Sequence, residues 1–125
     1  MEIQFDAAAM AKLTPHLVAG KQLLMTFEDG VGPYSQHAMI HMQVQFTLNV
    51  VAADADLTAY DTTVDSNLGP VLIKGYSTED LDDHMAVHLN EAANTMSLTG
   101  DGGMIDSNLG FIDFTAPNSV INPAR

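Results

Sequence analysis

The feature that most constrains this chain is a long alternation of apolar and polar side chains. From Ala38 to Val50 every second residue is apolar, and the residues between them are polar with the exception of Met39. Successive side chains of a β-strand point to opposite faces, whereas a helix repeats every 3.6 residues. The pattern therefore predicts one long strand with a buried and a solvent-exposed face. The polar side chains expected on the exposed face are His41, Gln43, Gln45, Thr47 and Asn49.

One principal helix is expected near the N-terminus. Asp6 is a suitable N-cap for the helix-forming run Ala7–Leu13, because its carboxylate can accept a hydrogen bond from a free amide of the first turn. Pro15 should end or kink this helix, and Gly20 lies where the chain must turn back. A second, short helix is expected at Ser77–Leu81, opened by its serine.

The remaining periodic segments predict strands. Residues Met85–Leu89 and Asn94–Thr99 alternate and are close enough in sequence to form a hairpin, with Met96 and Leu98 facing inward. Together with the long strand they indicate an α+β fold that is mainly β. Further extended segments are predicted at residues 2–5, 21–28, 58–64, 71–74 and 104–114.

Composition narrows the function classes. The chain has 125 residues, enough for one domain, and 16 acidic against four Lys plus Arg residues give a net charge of −12. This charge repels nucleic-acid phosphates and anionic lipid heads, so neither nucleic acid nor a membrane is an expected partner. The sequence lacks a secretory signal and any apolar run long enough to span a bilayer. We therefore expect a cytoplasmic protein.

A pentapeptide occurs twice, as Asp65-Ser66-Asn67-Leu68-Gly69 and as residues 106–110. Asp, Ser, Asn and Gly favour turns in which side chains bond to the local backbone, so two equivalent turns are predicted. A duplicated ligand-binding loop is the alternative interpretation.

Three segments carry a resemblance to a known family. They are Ile3–Leu17 with its run Asp6-Ala7-Ala8, the segment Ser77–Leu81, and the stretch 111–118, which reads Phe-Ile-Asp-Phe-Thr-Ala-Pro-Asn. With the order of elements, they resemble the HesB-like family, the A-type proteins of iron–sulphur cluster biogenesis. The resemblance implies a compact α+β sandwich of mixed strands, with one main N-terminal helix and one short helix. It implies a single domain over residues 1–118 and an irregular tail at 119–125.

The family's cluster ligands are not present in this sequence. The family holds iron or a cluster with three cysteines, and the first would fall near Met39, Ile40 or His41. The other two would follow Asn118, yet the chain contains no cysteine at all. Because iron–sulphur clusters are held mainly by thiolates, we expect no cluster and no other resident cofactor.

Histidines are the remaining candidates for metal ligands. His84 and His88 are four residues apart, as are His37 and His41, so each pair shares one face of a strand. If the strands were neighbours, His41, His84 and His88 could bind a divalent metal, with Asp82 or Asp83 adding an oxygen. Residues four apart on one strand, however, lie about 13 Å apart. We therefore expect exposed histidines that bind no metal tightly.

Three functions remain open. The resemblance favours an accessory protein related to iron–sulphur cluster biogenesis that has lost its thiolate ligands and keeps a binding or partner-docking role. The first alternative is a divalent-metal-binding module of histidine and carboxylate, and the second is a ligand-free protein-interaction domain. In the second, the face with Gln43, Gln45, Thr47 and Asn49 would dock a partner strand or a second copy. No spacing indicates a catalytic triad or carboxylate pair, so we do not expect an enzyme.

Overall fold

The computed structural model describes residues 1–27 and 46–115, and these residues form one closed barrel. Its strands are β1 (Glu2–Phe5), β2 (Gln22–Phe27), β3 (Phe46–Val51), β4 (Thr62–Ser66), β5 (Val71–Ile73), β6 (His84–Asn90), β7 (Thr95–Gly100) and β8 (Gly103–Asp113). They close in the order β1-β4-β5-β2-β3-β8-β7-β6. Four pairs are parallel (β1–β4, β1–β6, β2–β5 and β3–β8) and four are antiparallel (β2–β3, β4–β5, β6–β7 and β7–β8), which confirms the mainly β fold of mixed strands.

The barrel interior is the main hydrophobic core. Its buried side chains are aliphatic or methionine apart from Phe5 and Phe46, and helix α1 (Ala7–Leu13) contributes Ala9 and Leu13 to it. Because the strands alternate, β2 and β3 each place every second residue in this core. The fully buried large side chains of this cluster include Ile3, Leu13, Met25, Phe46, Leu48, Ile73 and Leu98.

The prediction of a solvent-exposed face on the long strand is wrong for its described part. All six residues of β3 are buried, and Thr47 and Asn49 are 1% and 0% exposed. A second apolar cluster of Leu24, Val51 and Tyr60 lies on the outer side of the barrel, with residues 55, 57 and 72 packed against it. Alternation identified the two faces of β3 correctly, but tertiary packing covers both. The first part of the predicted strand, residues 38–45, lies outside the described residues.

The N-terminal helix forms as predicted. The Asp6 carboxylate accepts a hydrogen bond from the Ala9 amide (2.8 Å), and α1 ends at Leu13, where a 3₁₀ helix with Pro15 follows. The second helix is a 3₁₀ helix at Gly75–Asp80 rather than one opened by Ser77. The Ser77 hydroxyl instead donates back to the Lys74 carbonyl (2.6 Å), so it bonds within the turn and caps nothing.

The predicted hairpin is confirmed. Strands β6 and β7 pair antiparallel from Met85 opposite Gly100 to Asn90 opposite Thr95, and both Met96 and Leu98 are buried. The strand predicted at 58–64 is shifted, because β4 covers Thr62–Ser66 and a turn precedes it. The tail at 119–125 lies outside the described residues.

The two copies of the repeated pentapeptide adopt different structures, so the prediction of equivalent turns is wrong. The first copy closes a turn after β4, where Ser66 bonds to Gly69 and Leu68. The second copy, residues 106–110, lies inside β8 beside a register irregularity. In both copies a polar side chain holds a distant strand: Asn67 pairs with both backbone groups of Phe5, and Asp106 accepts from the Phe46 amide.

No helix in the described ranges is long and apolar enough to cross a membrane.

Candidate functional site

The two predicted histidines of β6 are exposed and face different carboxylates. His84 lies 3.3 Å from the Asp101 carboxylate through Nδ1 and 3.9 Å from that of Glu2 through Nε2. His88 lies 3.7 Å from the Asp6 carboxylate. The exposure predicted for these two side chains is confirmed, because about 71% of the His84 and 54% of the His88 side chain is accessible.

Strand pairing places His84 beside acidic side chains in an arrangement that sequence spacing does not reveal. Strand β1 lies between β4 and β6, with Glu2 opposite Asp65 on one side and His84 on the other. Paired residues project from the same face of a sheet, so three ionisable groups line an open groove that also includes Asp83. This groove carries mainly negative charge and is suited to a cation or a basic surface.

The described residues do not assemble a metal centre from the predicted ligands. Within residues 1–27 and 46–115, no group of three histidine, cysteine, aspartate or glutamate side chains could hold a metal ion. His41 lies outside those ranges, so the set His41, His84 and His88 stays a prediction. Asp82 bonds to the Gly102 amide (3.1 Å) instead of approaching His84.

A buried polar cluster on the outer side of β2 and β3 was not predicted. The Thr26 hydroxyl lies 2.5 Å from Asn49 Oδ1 and 2.8 Å from the Tyr60 hydroxyl, and all three residues are buried. Asn49 Nδ2 is also buried and has no hydrogen-bond partner among the described residues. Buried polar groups are costly unless paired, so this cluster fixes the loop that carries Tyr60 against the barrel.

Lys74 extends this cluster. It is only 3% exposed, and its ammonium lies 5.6 Å from the ring centre of Tyr60 and 5.9 Å from that of Tyr76. Two aromatic faces partly replace the water that a buried ammonium loses. The available sequence signal was the position of Lys74 directly after the apolar strand β5, where a fully solvated lysine is not expected.

At the end of β8, His16 and Asp113 connect the segment after α1 to the barrel. His16 Nδ1 lies 2.7 Å from the Asp113 carboxylate, and its ring packs edge-on against Phe111 at 4.8 Å. Burial by itself raises the pKa of Asp113, but hydrogen bonds from Thr115 and His16 outweigh it and hold that pKa below its ordinary value of 3.8. This His16–Asp113 clasp therefore anchors the segment after α1 to β8, and the Asp113 carboxylate is its hydrogen-bond acceptor.

The chain is similar to proteins of one family over almost its whole length. A family model described as iron-sulphur cluster biosynthesis matches residues 1–113. No curated protein matches the sequence.

Two solved structures share the fold. One is a candidate Fe-S biosynthesis protein from Lactobacillus salivarius, whose fold is described as novel. It is 30% identical, with a TM-score of 0.77, covering 91% of this chain and 98% of that one. The other is a candidate Fe-S biosynthesis protein from Lactobacillus acidophilus. It is 22% identical, with a TM-score of 0.69, covering 90% of this chain and 89% of that one, and at that identity it supports the fold alone.

Proposed function

Because the chain belongs to the iron–sulphur cluster biosynthesis family, we propose that it is a cytoplasmic accessory protein of that process, which docks onto another protein and holds no cluster itself. Its family membership confirms the HesB-like resemblance noted in the sequence. The proposed role is non-catalytic.

A single observation carries this proposal: the family's barrel is complete while its usual ligand chemistry is missing. Strands β1 to β8 close around a continuous core, yet the sequence contains no cysteine. The donor set therefore does not fit a cluster, since histidine and carboxylate do not replace a full set of thiolates. A chain that keeps the fold but lacks the cysteine ligands of a cluster supports a role in which its surface binds another protein.

The expected partner surface is basic. The net charge of −12 raises the encounter rate with positively charged proteins and lowers it with acidic ones. The groove along Glu2, Asp65 and His84 supports docking on this side of the barrel, because its residues are accessible and mainly acidic.

Cluster transfer tests this proposal. The protein is first incubated anaerobically with iron and sulphide, and we expect no cluster absorbance after desalting. It is then added to an assay in which a cluster-loaded scaffold protein supplies an apo-ferredoxin. We expect a changed transfer rate and a complex with the scaffold or the acceptor, while the protein itself stays colourless.

Charge variants sharpen the experiment. The double variant Asp65→Asn/Asp83→Asn should weaken the complex and its effect on transfer. The double variant Asp54→Asn/Asp56→Asn removes the same charge from an exposed loop and serves as the matched control. A stable stoichiometric cluster, or a transfer rate that the protein leaves unchanged, contradicts the proposal.

A divalent-metal module is the second candidate; within residues 1–27 and 46–115 no group of three side chains could hold a metal ion, so such a site would need a ligand from outside those ranges beside His84. Titration with Zn²⁺ separates the two candidates. Saturable one-to-one binding that His84→Ala abolishes and His16→Ala leaves intact would favour the metal module over the docking protein.

A further inference from the structure

A groove at one end of the barrel combines apolar walls with a lysine. It encloses about 320 Å³, and every residue that lines it is described. Two segments of the chain form its walls: Leu17, Gly20, Lys21, Gln22 and Leu23 belong to one, and Leu68 and Pro70 belong to the other. A volume of this size lies at the lower end of the range for small-molecule sites.

Both walls are fixed before any ligand enters. On one side, Ala19 (φ 59°) and Gly20 (φ 76°) form a tight turn closed by the Lys21 amide, which donates to the Val18 carbonyl. Two central residues with positive φ give a type I′ geometry, which alanine adopts only at a cost.

On the other side, the first pentapeptide copy is held by its own hydrogen bonds. The Ser66 hydroxyl donates to the Gly69 carbonyl and accepts from the Leu68 amide at 3.0 Å. Asn67 bonds to both backbone groups of Phe5 at 2.9 Å. A ligand would therefore enter a preorganised groove and lose little free energy to ordering its walls.

Lys21 gives the groove its charge. It is half-buried and makes no side-chain hydrogen bond or ion pair with any part of the chain that the structure describes. Lys12, by contrast, donates to Asn94 (3.2 Å), and Lys74 is buried between tyrosines. No acidic residue lines this groove, although the chain has 16 of them. An ammonium beside aliphatic walls complements a carboxylate attached to an aliphatic tail.

Charge and size decide what kind of carboxylate fits. An acidic protein segment meets the repulsion of a chain with net charge −12, whereas a small ion with one charge meets far less. A second carboxylate would find no second cation, because Lys21 is the single cationic residue in the lining. We propose that this groove binds a small aliphatic monocarboxylate, with its tail against Leu17 and Leu68 and its carboxylate at Lys21.

Ligand titration followed by two-dimensional NMR of the whole chain tests this inference, with octanoate as the probe. We expect saturable shifts at Leu17, Gly20 and Leu68, with a dissociation constant of about a millimolar. Octanol, which has the tail without the charge, and acetate, which has the charge without the tail, should each bind at least about tenfold more weakly.

Two variants assign the contribution of the lysine. Lys21→Gln should weaken octanoate binding about tenfold, since it removes a charge-assisted hydrogen bond. Lys12→Gln removes the same charge elsewhere and should leave binding unchanged. Equal affinity for octanol and octanoate, unaltered binding by Lys21→Gln, or shifts spread evenly over the surface would each overturn the proposal. None of these measurements involves a cluster or a partner protein, so they are independent of the accessory role.

Discussion

Replacing Thr26 by valine tests the buried polar cluster on the outer side of the barrel. Valine has nearly the same shape and is well accepted in strands, so the change removes little besides the hydroxyl. That hydroxyl lies within hydrogen-bond distance of Asn49 Oδ1 and the Tyr60 hydroxyl, in a site that is 0% exposed at Thr26. The perturbation therefore removes two buried contacts at once.

The magnitude follows from what is left behind. Asn49 Oδ1 loses its donor while Asn49 Nδ2 already has no partner among the described residues, and an unsatisfied buried polar group costs about 1–3 kcal/mol. Loss of the second contact, to Tyr60, adds about 0.5–1.5 kcal/mol. We expect Thr26→Val to lower the free energy of unfolding by about 1.5–4.5 kcal/mol. If this face were solvated, as the alternation pattern predicts, the change would stay within about 0.5 kcal/mol.

Urea unfolding followed by far-ultraviolet circular dichroism measures this difference. Thr63→Val is the matched control, because Thr63 lies on β4 and is exposed, and it should change stability by less than about 0.5 kcal/mol. Thr26→Ser keeps the hydroxyl and should cost only about 1 kcal/mol for the lost methyl group. If Thr26→Val costs no more than Thr63→Val, the cluster does not stabilise the fold and the reasoning fails.

Three further predictions follow from other parts of the barrel. Phe46→Ala should lower the free energy of unfolding by about 3–5 kcal/mol in urea, because Phe46 is fully buried. Phe114→Ala is the control and should lower it clearly less, since Phe114 is 36% exposed. Equal losses would contradict the assignment of the barrel interior as the core. Since the pKa of Asp113 is lower in the folded than in the unfolded chain, its contribution to stability is present above the unfolded value and is lost as pH falls through the folded one. Asp113→Asn should therefore flatten the acid side of the stability profile, and an unchanged profile would count against the clasp. In Zn²⁺ titrations, His84 and His88 should show weak, non-saturating shifts, because they face separate carboxylates; tight binding at either would refute this.

Local sequence signals determined the elements whose geometry depends on near neighbours. Asp6 predicts the start of α1, and Pro15 its end, because capping and the missing proline amide act within one turn. The hairpin of β6 and β7 follows from two alternating segments joined by a short connection, with Met96 and Leu98 inward. The absence of cysteine likewise removes thiolate chemistry whatever the fold.

Long-range pairing decided the rest. The sequence predicts that Thr47 and Asn49 share a face. Burial of that polar face costs free energy, and the hydrogen bonds from Thr26 and the packing of the loop that carries Tyr60 offset this cost. The row of Asp65, Glu2 and His84 exists because β1 inserts between β4 and β6, strands more than 55 residues away along the chain.

The repeated pentapeptide illustrates the same division. Identical residues end β4 and form the turn after it at 65–69, but lie within a strand at 106–110, because turn-forming side chains bond to whichever backbone the barrel brings near them. The sequence by itself determined which residues can be buried, which can cap a helix and which can form a turn. The tertiary structure decided which strands become neighbours, since that depends on closing the barrel around one core, and with it which polar side chains meet.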